Sequence, residues 1–217
     1  SEYTVDAVIE GYHSPRVDLK FPLLYSLDGS GYIVDALKIT DVFDGDISYK
    51  AKIITTDMDH DAPGIYTLLI QVKNSVGDIV TLPLKSIVRH QSGSGYVMTL
   101  TNNIVYVKRG DIVDPESYVK DFHRYDTVTQ LNLQVPYEEV QTLYVGNPEY
   151  DSVYHIVYYI PETSNIGWAT DTSGRNEVFS DMTGKYDYPS FEAAFSGSGL
   201  KELKFKSAVV LTIVVED

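Results

Sequence analysis

The fold is decided between residues 34 and 88. The markers in order are Val34-Asp35, Asp41-Val42-Phe43-Asp44-Gly45-Asp46-Ile47, Pro63-Gly64-Ile65-Tyr66-Thr67 and Asn74-Ser75-Val76-Gly77-Asp78, and an apolar run closes the stretch at 80–88. Gly, Pro, Asn and Asp punctuate the chain where it must turn, and the segments between them alternate apolar with polar residues. The alternating runs are 3–9, 17–24, 33–39, 47–54, 66–72 and 80–88. Helical periodicity is nowhere sustained. Short strands with turn signals every 8–12 residues predict an antiparallel β-sandwich. Pro83 cannot donate to a ladder, so the last strand is expected at an edge or with a bulge there.

Working outward, the second half repeats the plan. Tyr25 to Gly29, then Val34-Asp35 and Asp41, is echoed by Tyr106 to Gly110, then Val113-Asp114 and Asp121. Residues 66–72 are echoed by 154–160, and 80–88 by 209–215. Such self-similarity predicts two copies of one supersecondary unit. Gln91-Ser92-Gly93-Ser94-Gly95 reads as the linker. The expected organisation is therefore a sandwich over 1–90 with an extra N-terminal strand, a linker at 91–95, and a divergent sandwich over 96–217. The second copy differs by an insertion at about 161–207, too long to be idle in a compact domain.

The order Asp44-Gly45-Asp46, Pro63-Gly64-x-Tyr66, Asn74-Ser75-x-Gly77 resembles bacterial immunoglobulin-like repeats of surface and phage structural proteins. The resemblance covers 15–88 well and 97–217 in outline. It implies tandem all-β, Ig-like domains that display and bind rather than catalyse. Where the family usually shows Asp-x-x-Gly-Asn after the Tyr strand, this chain has Asn74-Ser75-Val76-Gly77-Asp78. A Tyr at such a corner ties its hydroxyl to nearby backbone, so Tyr66 and Tyr154 are expected to do so.

The chain has 217 residues and a formal charge of −14. Residues 1–90 hold 8 basic against 13 acidic side chains, and residues 91–217 hold 9 against 18. An acidic surface in both halves argues against nucleic acid and against an anionic membrane. With no cysteine, disulfides, thiol catalysis and Cys-ligated zinc are excluded. No run of 18 apolar residues suggests a membrane-spanning helix. The Ser1-Glu2 start fits removal of an initiator Met, a processed end or an internal boundary; the first of these would suit a leaderless virion protein.

The sequence offers three candidate sites. Trp168, Tyr186, Tyr188, Phe191 and Phe195 in the insertion are either a glycan-stacking surface or a satellite core. Asp57, Asp59 and Asp61 alternate as oxygen ligands for calcium do, or close a solvated loop; no other cofactor is expected. Tyr3, Val5, Ala7 and Ile9 alternate in an N-terminal strand that pairs within its domain or docks on a neighbour in self-assembly. The five histidines show no paired spacing, and His155 is expected to point outward. No motif of a hydrolase, metalloprotease or phosphate-binding loop occurs.

The expected function is non-catalytic structure and binding on an exposed surface, most simply a phage virion as capsid decoration or tail component. The alternative is a cell-surface adhesin or stalk, or an accessory carbohydrate-binding module of a secreted protein. Its partners would be proteins of the same assembly, or a surface receptor or glycan.

Overall fold

The computed structural model describes residues 15–26, 33–89, 95–161 and 203–217. In the first half the strands are β1 (Arg16–Leu19), β2 (Leu24–Ser26), β3 (Leu37–Asp41), β4 (Gly45–Asp46), β5 (Lys52–Thr56), β6 (Gly64–Lys73) and β7 (Ile79–Arg89). In the second they are β8 (Tyr96–Leu100), β9 (Ile104–Lys108), β10 (Val119–Asp126), β11 (Leu131–Gln134), β12 (Gln141–Val145), β13 (Val153–Pro161) and β14 (Phe205–Glu216). The protein is all-β. One expected strand, over 33–39, begins instead as a helical turn at Ile33–Ala36 before β3.

The sheets of the two halves have matching strand orders. One sheet of the first half runs β2-β7-β6-β5, and its counterpart in the second runs β9-β14-β13-β12. The opposing sheets are β1-β3-β4 and β8-β10-β11. In both halves the last strand pairs antiparallel with the one before it and parallel with the second strand.

Alternation builds each core. Val17, Leu37 and Ile39 meet Leu68, Ile70, Val72, Leu82 and Leu84 between the two sheets of the first half. Met98, Leu100 and Phe122 meet Tyr154, Ile156, Tyr158, Val209, Leu211 and Ile213 in the second. Each fully buried large side chain contributes about 1.5–3 kcal/mol.

The two halves pack against each other through apolar side chains. Residues 154, 156, 158 and 160 of β13 face their own core, while Val157 and Tyr159 face the first half together with Leu143, Ala208 and Val210, against Ile65 and Ile87. Ile104 enters the first core, with Tyr106, Val153 and Val214 packed on it. The second half thus packs on the first through side chains of β9, β12, β13 and β14. Among the described residues β2 pairs with β7 only at Ile87, Val88 and Arg89, so there the stretch at Pro83 has a strand partner, β6, on one side only. Pro83 pairs with Leu69 without a bulge, and its missing N–H falls on that open side, as its chemistry requires.

His155 corrects an expectation. It lies 4% exposed, its Nε2 donating to the Pro83 carbonyl at 3.1 Å across the junction. Both faces of β13 are covered, so alternation alone could not reveal an outward face.

Candidate functional site

Two of the quoted motifs of the first half, at 41–46 and 74–78, meet in one hydrogen-bonded network. Asp41, 6% exposed, accepts from Phe43 N at 2.9 Å, Asp44 N at 3.1 Å and Asn74 Nδ2 at 3.0 Å. Asn74, 3% exposed, also donates to Asp78 Oδ2 at 3.0 Å and accepts from Asp78 N at 2.8 Å. Asp44 accepts from the Ser75 amide at 2.7 Å and from its hydroxyl, and pairs with Lys50 at 3.1 Å. These bonds hold the Asp44 carboxyl below its usual range, the Ser75 hydroxyl first among them. Asp46 accepts from the Ser48 hydroxyl and amide, which lowers its pKa as well. These carboxylates staple two turns together.

Asp57, Asp59 and Asp61 are spent locally or spread apart. Asp57 Oδ1 accepts from Thr67 N at 2.7 Å, and Asp59 Oδ1 from Asp61 N at 2.9 Å. Among the described residues no group of three or more His, Asp or Glu is placed to hold a metal ion. Tyr66 closes its corner as expected, donating to Ala62 O at 2.8 Å. Tyr154 is buried in the second core, where burial first, then the nearby Tyr144 and Tyr118, pushes its phenol up to about 12. The aromatic set Trp168, Tyr186, Tyr188, Phe191 and Phe195, and the N-terminal set Tyr3, Val5, Ala7 and Ile9, lie outside the described residues.

The exposed faces of the two three-stranded sheets differ in chemistry. On β1-β3-β4 the inward residues Val17, Leu37, Ile39 and Asp41 alternate with exposed Arg16, Asp18, Lys38 and Thr40. That is a charged, solvated face. On β8-β10-β11 Phe122 points inward, so Asp121, His123 and Tyr125 point out. Register places Val97 and Gln134 beside His123, and Asn132 beside Tyr125. The result is a flat shelf of planar polar groups around one open ring: Tyr125 is 47% exposed and Val97 46%.

The shelf is pre-ordered. His123 Nδ1 and Asp121 Oδ2 are 2.8 Å apart, fixing the imidazole. Gln134 Nε2 donates to Phe122 O at 3.0 Å, which fixes this amide against the β10 backbone. Tyr125 N donates to Gly95 O at 3.1 Å; Gly95 has φ +71° and a Cβ there would come within 3.2 Å of Tyr125 O. An aromatic face with amide, imidazole and carboxylate groups at its margin can stack on a flat apolar ring and hydrogen-bond its edge. Asp121-x-His123-x-Tyr125 and Asn132-x-Gln134 carry the period-2 signal of this face, a signal that any solvated strand face also carries.

Neither a family model nor a curated protein matches the sequence. Among solved structures, a CBM51-2 and INT domain structure with GlcNAc from Clostridium perfringens ZmpB shares 18% identity at a TM-score of 0.34, covering 68% of this chain and 30% of the other. The M60 catalytic domain structure of ZmpB with CBM51-1 and CBM51-2 shares 16% at 0.33, covering 67% and 14%. The lipoprotein BT2262 from Bacteroides thetaiotaomicron shares 12% at 0.28, covering 66% of this chain and 92% of that one. The chain thus spans less than a third of the ZmpB structures it matches.

Proposed function

We propose that the protein is a non-catalytic binding module displayed on an exposed bacterial surface or on a secreted protein, and that its ligand is a glycan. One observation carries this reading: Tyr125 stands 47% exposed on a sheet face it shares with Val97, His123, Gln134 and, directly opposite it in register, Asn132. Sugar rings present apolar C–H faces and hydroxyl edges, which this mixture of ring, amide and imidazole complements. The strand beneath it, β10, is hydrogen-bonded to a neighbour on each side, which favours binding with little reordering. The tandem architecture also suits display on a virion, where the same shelf would contact a host glycan or a neighbouring protein.

The test is a titration of soluble oligosaccharides, N-acetylglucosamine oligomers among them, into the intact protein. Binding that falls at least about tenfold in both Tyr125→Ala and Asn132→Ala supports the proposal; about 1.4 kcal/mol is at stake in each. Glycan binding unchanged by both would place the ligand elsewhere. No glycan binding, together with stable association with purified phage particles, would favour the virion reading.

A further inference from the structure

A second face of the same half is built differently. Tyr118, Tyr137 and Tyr144 are half-buried, their rings packed against the second core. They arrive from three places: Tyr118 ends the 3-10 turn Pro115–Tyr118, Tyr137 opens the turn Tyr137–Glu139, and Tyr144 lies in β12. Beneath them lie buried Tyr154 and Tyr158. Tyr144 stands opposite Ile156, between those two on β13. Tyr158 donates to Pro115 O at 2.7 Å, which holds the first turn over this floor.

The rim is acidic. Asp114 and Glu116 belong to the first turn, Glu138 and Glu139 to the second, and all four are exposed. No Lys or Arg occurs in residues 110–119 or 125–161, so these elements bring no cation of their own. We propose that this tyrosine-floored, carboxylate-rimmed face takes a cationic side chain, the guanidinium or ammonium group of a basic segment in a partner protein.

Two physical terms favour that occupant. A cation over an aromatic face gains about 0.5–2 kcal/mol, more as it is desolvated. Carboxylates of one sign around it steer the approach and disfavour acidic competitors. The same carboxylates act on the phenols, after burial: burial, then Tyr144, Glu116 and Asp114, pushes Tyr137 up to about 12, and burial, then Asp114, does the same to Tyr144. Their hydroxyls therefore stay protonated over the whole physiological range.

The probe is a short synthetic peptide of alternating glycine and arginine, titrated into the full chain at low salt, with its glutamate counterpart as control. The wild type is expected to bind the arginine peptide and not the glutamate one. D114N with E116Q, and separately Tyr144→Leu, each weaken binding at least about tenfold, while Glu149→Gln and Tyr125→Ala leave it unchanged. Asn keeps the capping role of Asp114, and Tyr137→Leu repeats the ring test should Tyr144→Leu fold poorly by near-UV circular dichroism. Binding lost with the carboxylates but indifferent to both tyrosine variants would mean diffuse attraction to an acidic protein and overturn the proposal, as would no binding by the wild type.

Discussion

The Tyr106 hydroxyl serves Val17 as a neighbouring strand would: it accepts from Val17 N at 2.9 Å and donates to Val17 O at 2.9 Å. The Arg16 guanidinium sits 3.9 Å from the centre of the same ring. β1 pairs with β3 on one side, and a side chain from the other half satisfies its free edge. His155 does the corresponding work at Pro83. The two halves therefore share hydrogen bonds that neither satisfies alone.

Tyr106→Phe isolates those two bonds. The ring remains for Arg16, but the Val17 amide and carbonyl lose their partner in a buried place. The expected loss is about 1–3 kcal/mol for each orphaned group, read as a lower midpoint in urea unfolding. A midpoint within error of wild type would mean that water replaces the hydroxyl freely.

Acid should loosen the junction through His155. Complete burial comes first, then the Lys85 charge; together they push the imidazole down to about 3 from 6.5, against hydrogen bonds to the Pro83 and Val145 backbone. A lowered pKa in a base means that the unfolded chain binds the proton first. Stability is complete above pH 6.5 and is lost as pH falls from there toward 3, by about 1.4 kcal/mol per unit. Asp44, Asp46 and Asp126 are lowered from 3.8, so their contributions fade only below that value. Melting temperatures measured between about pH 4.5 and 6.5 should therefore slope in the wild type and flatten in His155→Leu.

Asn74→Ala should cost about 2–4 kcal/mol, because it strips a partner from the buried Asp41 carboxylate and unties the 74–78 turn. A double-mutant cycle with Asp41→Ala should show coupling well above about 0.5 kcal/mol. Additive losses would mean the two residues act separately.

Gly146→Ala should be the most damaging small change. Gly146 has φ +111°, and a Cβ there would stand 2.4 Å from Tyr154 Cβ and 2.7 Å from its Cα. Left-handed strain of about 1–2 kcal/mol adds to a backbone collision that no rotamer relieves. Expression with a sharply lowered melting temperature, or no folded protein, is the expected outcome.

Tyr125→Ala, by contrast, should move stability by no more than about 0.5 kcal/mol, since the side chain lies on the exposed face of its sheet. That separation of binding from folding is what makes it the useful variant for the shelf.

Much of the architecture was legible because turn chemistry is local. Asn74 to Asp78 and Asp41 to Asp46 bend the chain by their own side chains, and Tyr66 closes its corner with Ala62 four residues away. The junction was hidden because it is made by residues far apart in sequence. The run Val153 to Ile160 has apolar groups on both faces, the mark of a strand covered twice, yet His155 within it suggested water. The helical turn at 33–36 escaped because four residues cannot display a period. The Tyr125 shelf escaped because a solvated face and a ligand face share one alternation, and only the register of β10 against β11 brings Asn132 beside Tyr125.

The parallel pairing of β9 with β14 has a mechanical consequence. Residues 104–108 run beside 212–216 in register. Tension applied at the start of β9 and at the end of β14 pulls the two strands in opposite directions along their own axes. The ladder is then loaded all at once rather than opened bond by bond from one end. A module held between an anchor and a captured ligand would thus resist stretching along that line far better than across it.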